Sequence, residues 1–216
     1  MQVFFEQSLA YIAVPKTGTT ALEQALRPQA MLTLPNRYKH MTAGQYLRRV
    51  APFLKAEFGL EPQLFAVLRE PEDHLRSWYR YRQRPKLHGK PESTAGISFD
   101  QYVRDLLSED CPPHARIGRQ WNMIRSADHE LAVHTLFAYE APGPLKEFLA
   151  WRFGEGTTLA RRNVSPAAEA ELEPGTRAKL LMAFKEEAEL HKRLLDGGGF
   201  LEGPSLGKAV LKSTFD

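Results

Sequence analysis

Three short, largely apolar runs, residues 9–14 (Leu-Ala-Tyr-Ile-Ala-Val), 63–68 (Gln-Leu-Phe-Ala-Val-Leu) and 131–139, each give way to a turn and then to a helical pattern. A strand that is apolar on both faces has to be covered on both, which is the situation of a strand inside a parallel sheet sandwiched by helices. The alternation of such strands with helices predicts an α/β domain whose ligand sites lie at the carboxyl ends of the strands. A length of 216 residues suits one domain spanning 1–216, with a core at about 9–195 and no assignment for the tail, 200–216.

Local signals place the helices. After the first strand a helix should start near Thr20, where Glu23 offers a capping box, and stop before Pro28. Residues 31–34 read as a short strand. Thr42 with Gln45 opens a helical stretch to Phe58, closed by Gly59 and kinked or split by Pro52. Pro71 starts the helix carrying Leu75, Trp78 and Tyr79. Residues 82–96 form a long basic loop, residues 98–107 and 144–153 are helical, and residues 174–195 make one long amphipathic helix ended by Gly197, Gly198 and Gly199.

Composition narrows the class. A hydrophobic fraction of 43% and a charged fraction of 25% exclude disordered and fibrous chains. No apolar run approaches the roughly 20 residues of a membrane span, and the first residues lack the basic and apolar regions of a leader, so a soluble, cytoplasmic protein is expected. Cys111 is the single cysteine; alone it makes neither an internal disulfide nor a thiolate metal cage, which fits a reducing compartment. The net charge of +3 is small, so basic residues matter only where they concentrate.

Two turns place a single cation where an anion could be held. Pro15, Lys16, Thr17, Gly18, Thr19 and Thr20 lie between a buried strand and a helix N-terminus, where backbone N–H groups and the helix dipole can hold a phosphate. This is not the nucleotide-kinase pattern, because Lys16 precedes the only glycine of the turn. Arg69 closes the second strand, and Ser77 follows two turns into the next helix; a guanidinium and a hydroxyl can bind a second phosphate.

With these two segments the chain resembles the sulfotransferase family that uses 3′-phosphoadenosine 5′-phosphosulfate (PAPS). Lys16, Thr17, Gly18, Thr19 and Thr20 are similar to its 5′-phosphosulfate loop, and Arg69 with Ser77 to its 3′-phosphate motif. More loosely, Arg161, Arg162 and Asn163 resemble the late cofactor-contacting loop of the carbohydrate and membrane-type branch. Where some relatives carry a basic residue this chain has His74. The resemblance implies a three-layer, P-loop-like domain with a central parallel sheet flanked by helices. It also implies transfer of a sulfuryl group to an acceptor hydroxyl, with adenosine 3′,5′-bisphosphate as product. Lys16 would stabilise charge growing on the leaving 5′-phosphate. A sulfuryl group carries less charge than a phosphoryl group, so no metal is required.

An acceptor hydroxyl benefits from a base near neutral pH. His40, just before a helix, resembles the position of the base in some carbohydrate sulfotransferases. His114, in a Pro-rich turn near Arg116 and Arg119, is the runner-up, with Asp73 and Glu70 as carboxylate candidates. His134 reads as structural and His191 as a solvated helix residue. Arg76, Arg80, Arg82, Arg84, Lys86 and Lys90, interleaved with Trp78, Tyr79 and Tyr81, suit an anionic sugar chain or single-stranded nucleic acid, and equally a solvated helix end over core aromatics. A carbohydrate or another hydroxyl-bearing small molecule is the expected partner, ahead of nucleic acid. Two alternatives stay open: a P-loop nucleotide kinase or ATPase, and a non-catalytic binder of anionic polymers.

Overall fold

The computed structural model describes residues 1–157 and 170–202. Six strands, β1 (Gln2–Phe4), β2 (Leu9–Ile12), β3 (Leu32–Thr33), β4 (Gln63–Leu68), β5 (Thr135–Ala138) and β6 (Phe200–Glu202), form one open sheet in the order β3-β1-β2-β4-β5-β6. The three apolar runs form its centre: β2 pairs parallel with β4, and β4 parallel with β5.

The sheet is mixed, which corrects the expectation of a parallel one. β1 pairs antiparallel with β2 and with β3, and β6 pairs antiparallel with β5. Only a tight turn separates β1 from β2, with Ser8 at φ 49°. A parallel pair needs a long crossover, so this connection allows only a hairpin.

Helices cover both faces, and the alternation of side chains along the central strands sorts them. Ala10, Ile12, Leu64, Ala66, Leu68 and Leu136 face one layer with Tyr46 of α2 (Ala43–Arg49), Leu54 of α3 (Ala51–Phe58), Ile124 of α6 (Gln120–Ile124) and Leu190 and Leu194 of α9 (Lys185–Asp196). Leu9, Tyr11, Phe65, Val67 and Phe137 face the other, with Leu22 and Leu26 of α1 (Thr19–Leu26) and Phe148 and Phe153 of α7 (Pro142–Phe153). A third cluster joins α4 (Pro71–Arg82), α5 (Phe99–Leu106) and α8 (Pro174–Ala183) through Leu75, Tyr79, Phe99, Tyr102 and Leu180.

Several helix boundaries follow the local signals. Thr42 caps α2 with the reciprocal Gln45 bond, the stretch splits at Val50 ahead of Pro52, and Gly59 ends α3 at φ 63°. Others do not. α1 starts at Thr19, capped by Gly18, and the Thr20–Glu23 capping box is not formed; the Glu23 carboxylate instead holds the chain's N-terminal ammonium at 3.2 Å and Lys39 Nζ at 2.7 Å. Residues 174–195 are two helices broken at Phe184, whose buried ring lies 3.7 Å beneath the Arg119 guanidinium. The strand expected over residues 131–139 is confined to β5, because Leu131 bridges back to Arg125 outside the sheet. His191 is not solvated: it is 5% exposed, with Nε2 2.8 Å from Glu140 Oε2. Among the described residues no helix is long and apolar enough to cross a membrane.

Candidate functional site

The chain leaves β2 through a turn held from inside. Thr17 is buried and its hydroxyl donates to Val14 O at 2.8 Å. That bond takes Thr17 out of the pocket expected to contain it and makes it a brace of the turn. Lys16 sits at φ 68°, a conformation that costs a residue with a Cβ about 1–2 kcal/mol and is found where surrounding structure imposes it. Gly18 follows at φ 79°, and a Cβ there would lie 3.6 Å from the Tyr139 ring. Among the described residues the N–H groups of residues 16–20 meet no acceptor. They are the free donors that open a strand–turn–helix anion site.

The turn forms one wall of a cavity of about 370 Å³ at the carboxyl ends of the parallel strands. Lys16, Gly18, Thr19 and Thr20 from the end of β2, Arg69 from the end of β4 and Ser77 from α4 all line it, as does His40. Residues far apart in the chain thus share one space. Tyr139 at the end of β5, Lys39, Trp78, Tyr81 and Arg84 complete most of the lining, and no carboxylate is among the described lining residues. Arg161, Arg162 and Asn163 lie outside the described residues. A larger cavity of about 1070 Å³ between α5 and α8 carries both signs of charge, with Asp100 2.6 Å from Arg104, and includes none of these strand ends.

Arg69 couples the two turns. Its Nη1 donates to Lys16 O at 3.1 Å and its Nε donates to Asp73 Oδ2 at 2.6 Å, while the guanidinium stacks 4.5 Å from the Tyr139 ring centre. Its backbone is clamped as well: Arg69 N–H donates to Gln120 Oε1 at 3.0 Å, and Gln120 Nε2 donates back to Arg69 O at 2.8 Å. A guanidinium has five N–H donors, so Arg69 keeps donors for a ligand after making these bonds.

Lys16 Nζ lies over the rings of Tyr81, at 4.4 Å, and Trp78, at 5.7 Å. Burial, with Arg84 and Arg69 nearby, pushes its pKa down to about 8. The charged form is held at a cost that an anion in the cavity would relieve. The Trp78 Nε1 at the cavity wall is buried with no acceptor among the described residues.

Two histidines are set by backbone carbonyls. His40 Nδ1 is 2.7 Å from Ala13 O; a carbonyl only accepts, so Nδ1 carries the proton and the neutral ring has its lone pair on Nε2. Although much of the residue is exposed, partial desolvation of the ring outweighs that bond and lowers its pKa from the usual imidazole value. His74, on α4, is buried, and its Nε2 donates to Pro15 O at 3.1 Å. Burial pushes its pKa down to about 3, so it is a neutral donor that fixes the loop carbonyl just before Lys16. Sequence alone leaves His74 without a role, since its partner is 59 residues away.

The other candidates separate. His114 Nε2 is 2.6 Å from Asp105 Oδ2, and His114 does not line the cavity. His134 Nδ1 accepts Leu64 N–H at 2.9 Å between strands, a structural role. Asp73 is paired with Arg69, and Glu70 Oε2 accepts Asp73 N–H at 2.6 Å as the cap of α4. The basic run is divided. Arg82 is buried and donates to the carbonyls of Pro113, His114 and Arg116; Arg76 pairs with Glu72; Tyr79 is core. Trp78, Tyr81 and Arg84 face the cavity. A helical projection of α4 does not separate these sets, because Trp78 is an i, i+4 neighbour of Arg82, whose guanidinium lies 5.5 Å from its ring centre.

Comparison with family models, with curated proteins and with solved structures gives no match for this chain.

Proposed function

We propose that this chain is a PAPS-dependent sulfotransferase built on a P-loop-like arrangement of β2, its turn and α1. The observation that carries it is the cavity at the carboxyl ends of β2 and β4. Lys16, Arg69 and Ser77 line it together with Gly18, Thr19 and Thr20, whose N–H groups meet no acceptor among the described residues, and no carboxylate is among its described lining residues. Such a lining fits an elongated donor with an anionic group at each end. The Lys16 turn suits the 5′-phosphosulfate and Arg69 with Ser77 the 3′-phosphate.

When bound, PAPS supplies the sulfuryl group: the acceptor oxygen forms a bond to sulfur, the bond from sulfur to the bridging phosphate oxygen breaks, and adenosine 3′,5′-bisphosphate leaves. Lys16 and the turn N–H groups neutralise the charge that develops on the phosphate, without the reorganisation that water would need. His40 takes the hydroxyl proton on Nε2, and the hydrogen bond to Ala13 O holds the required tautomer. The acceptor is a hydroxyl compound, with a carbohydrate as one class.

Thermal stabilisation by adenosine 3′,5′-bisphosphate, compared with AMP, ADP and ATP with magnesium, tests the assignment without an acceptor. Selective stabilisation by the bisphosphate, lost in Arg69→Ala, is expected. Preference for ATP with magnesium would move the chain to the nucleotide kinases, and no response to any nucleotide would leave a non-catalytic anion binder.

A further inference from the structure

Three cations converge on one ring. Lys16 Nζ lies 4.4 Å, Arg84 Cζ 4.6 Å and Lys86 Nζ 5.9 Å from the centre of Tyr81. Attraction to the ring quadrupole offsets part of their mutual repulsion.

The other cations at this cavity are already engaged by carboxylates: Lys39 Nζ lies 2.7 Å from Glu23 Oε2, and Arg69 Nη2 lies 2.6 Å from Asp73 Oδ2. For Lys16 and Arg84, by contrast, no carboxylate partner is found among the described residues, and both line the cavity. Arg84 is also well positioned. It follows the end of α4, its N–H bonds to Tyr81 O at 3.4 Å, and its carbonyl accepts Leu87 N–H at 2.8 Å in the turn Pro85–Leu87. A guanidinium stacked on an aromatic ring keeps its in-plane N–H donors available, the geometry that suits two-point binding of an oxyanion.

The geometry points to a second anion subsite at Arg84 and Tyr81, which recognises an oxyanion carried by the acceptor itself, a sulfate ester or a carboxylate close to the hydroxyl that is modified. It rests on the sulfotransferase reading, which assigns Lys16 and Arg69 to the donor and leaves Arg84 for the second substrate. Arg84 is then a specificity residue, and neutral alcohols are poor acceptors. The lowered pKa of Lys16 is in keeping with this, since Arg84 is one of the charges that press on it.

The test uses the full chain, first measuring adenosine 3′,5′-bisphosphate binding by calorimetry for wild type, Arg84→Gln and Arg84→Lys. The bisphosphate-saturated proteins are then titrated with glucose 6-sulfate, glucuronate and glucose. Wild type should bind at least one anionic sugar tenfold or more tightly than glucose, and the two anionic probes separate a sulfate ester from a carboxylate. Arg84→Gln should lose that preference while losing at least tenfold less affinity for the bisphosphate, and Arg84→Lys should recover part of it. Equal binding of charged and neutral sugars, no binding of either charged sugar, or a preference that survives Arg84→Gln would overturn the subsite. So would a loss confined to the bisphosphate, which would return Arg84 to the donor. If wild type binds no bisphosphate, the sulfotransferase reading fails by itself. The same sugar titrations on nucleotide-free protein then decide the Arg84 subsite by the same criteria.

Discussion

Arg69 Nη1 donates to the carbonyl oxygen of Lys16 at 3.1 Å, so the cation ending β4 holds the backbone of the cation ending β2. The guanidinium that offers donors to a ligand is thus also part of the frame that keeps Lys16 at φ 68°. Loss of Arg69 therefore acts on both ends of the cavity.

Arg69→Ala should lower folding stability by about 1–3 kcal/mol, because it leaves Asp73 and the Lys16 carbonyl without their donor. Arg69→Lys keeps the charge but cannot span both acceptors, and should recover less than half of the loss. Urea denaturation of the two variants measures this, and a lysine variant as stable as wild type would show that the bridge to Lys16 O is dispensable.

Lys16→Gly and Lys16→Ala both remove the ammonium, but only alanine places a Cβ at φ 68°. Glycine should be the more stable of the two by about 1 kcal/mol, the reverse of their usual order. Equal denaturation midpoints would mean that the turn relaxes out of this conformation once the side chain is gone.

Anion binding should depend on pH through Lys16. Its pKa in the free protein is pushed down to about 8 by burial and by Arg84 and Arg69, so the ammonium is lost as pH rises through that value. The association constant for adenosine 3′,5′-bisphosphate should fall by up to about tenfold per pH unit above it. Lys16→Arg should hold its affinity nearly flat to pH 10, because a guanidinium does not titrate in this range. Parallel profiles for the two proteins would remove Lys16 from the binding site.

His74 should make the fold sensitive to acid. Its pKa is pushed down to about 3 by burial, whereas the unfolded chain takes up the proton near the ordinary value of about 6.5. Its contribution to stability is therefore complete above 6.5 and is lost as pH falls from there toward about 3. The slope contributed approaches 1.4 kcal/mol per pH unit. His74→Gln supplies an amide donor that does not titrate and should flatten the stability profile between pH 6 and 4. An unchanged slope would assign the acid sensitivity to other groups, of which His40 and His134, both lowered by burial, are the first to test.

Much of the site is legible along the chain because its signals are local. The apolar run before Pro15, the single glycine at the Lys16 turn, the apolar run ending at Arg69 and the Pro71 helix start all lie within a few residues of one another in two windows. Those windows specify strand, turn and helix by side-chain period and by backbone preference, and neither depends on distant partners. Thr42 with Gln45 and Gly59 marked their helix boundaries for the same reason.

What tertiary structure decided was every feature whose partner is remote. Gln2–Phe4 is too short to signal a strand, yet pairing on both sides makes it one. Glu23 leaves its cap for Lys39 and the terminal ammonium, and His191 is buried on Glu140 from 51 residues away. Tyr139 closes the cavity only because β5 ends beside β4. Arg82 and Arg84 are near neighbours with the same side chain; one is buried against three carbonyls and the other faces the cavity. Local sequence sets the period and direction of each element, but the desolvation and pairing that give a charged side chain its role depend on which surfaces meet when the sheet closes, and those contacts are long-range.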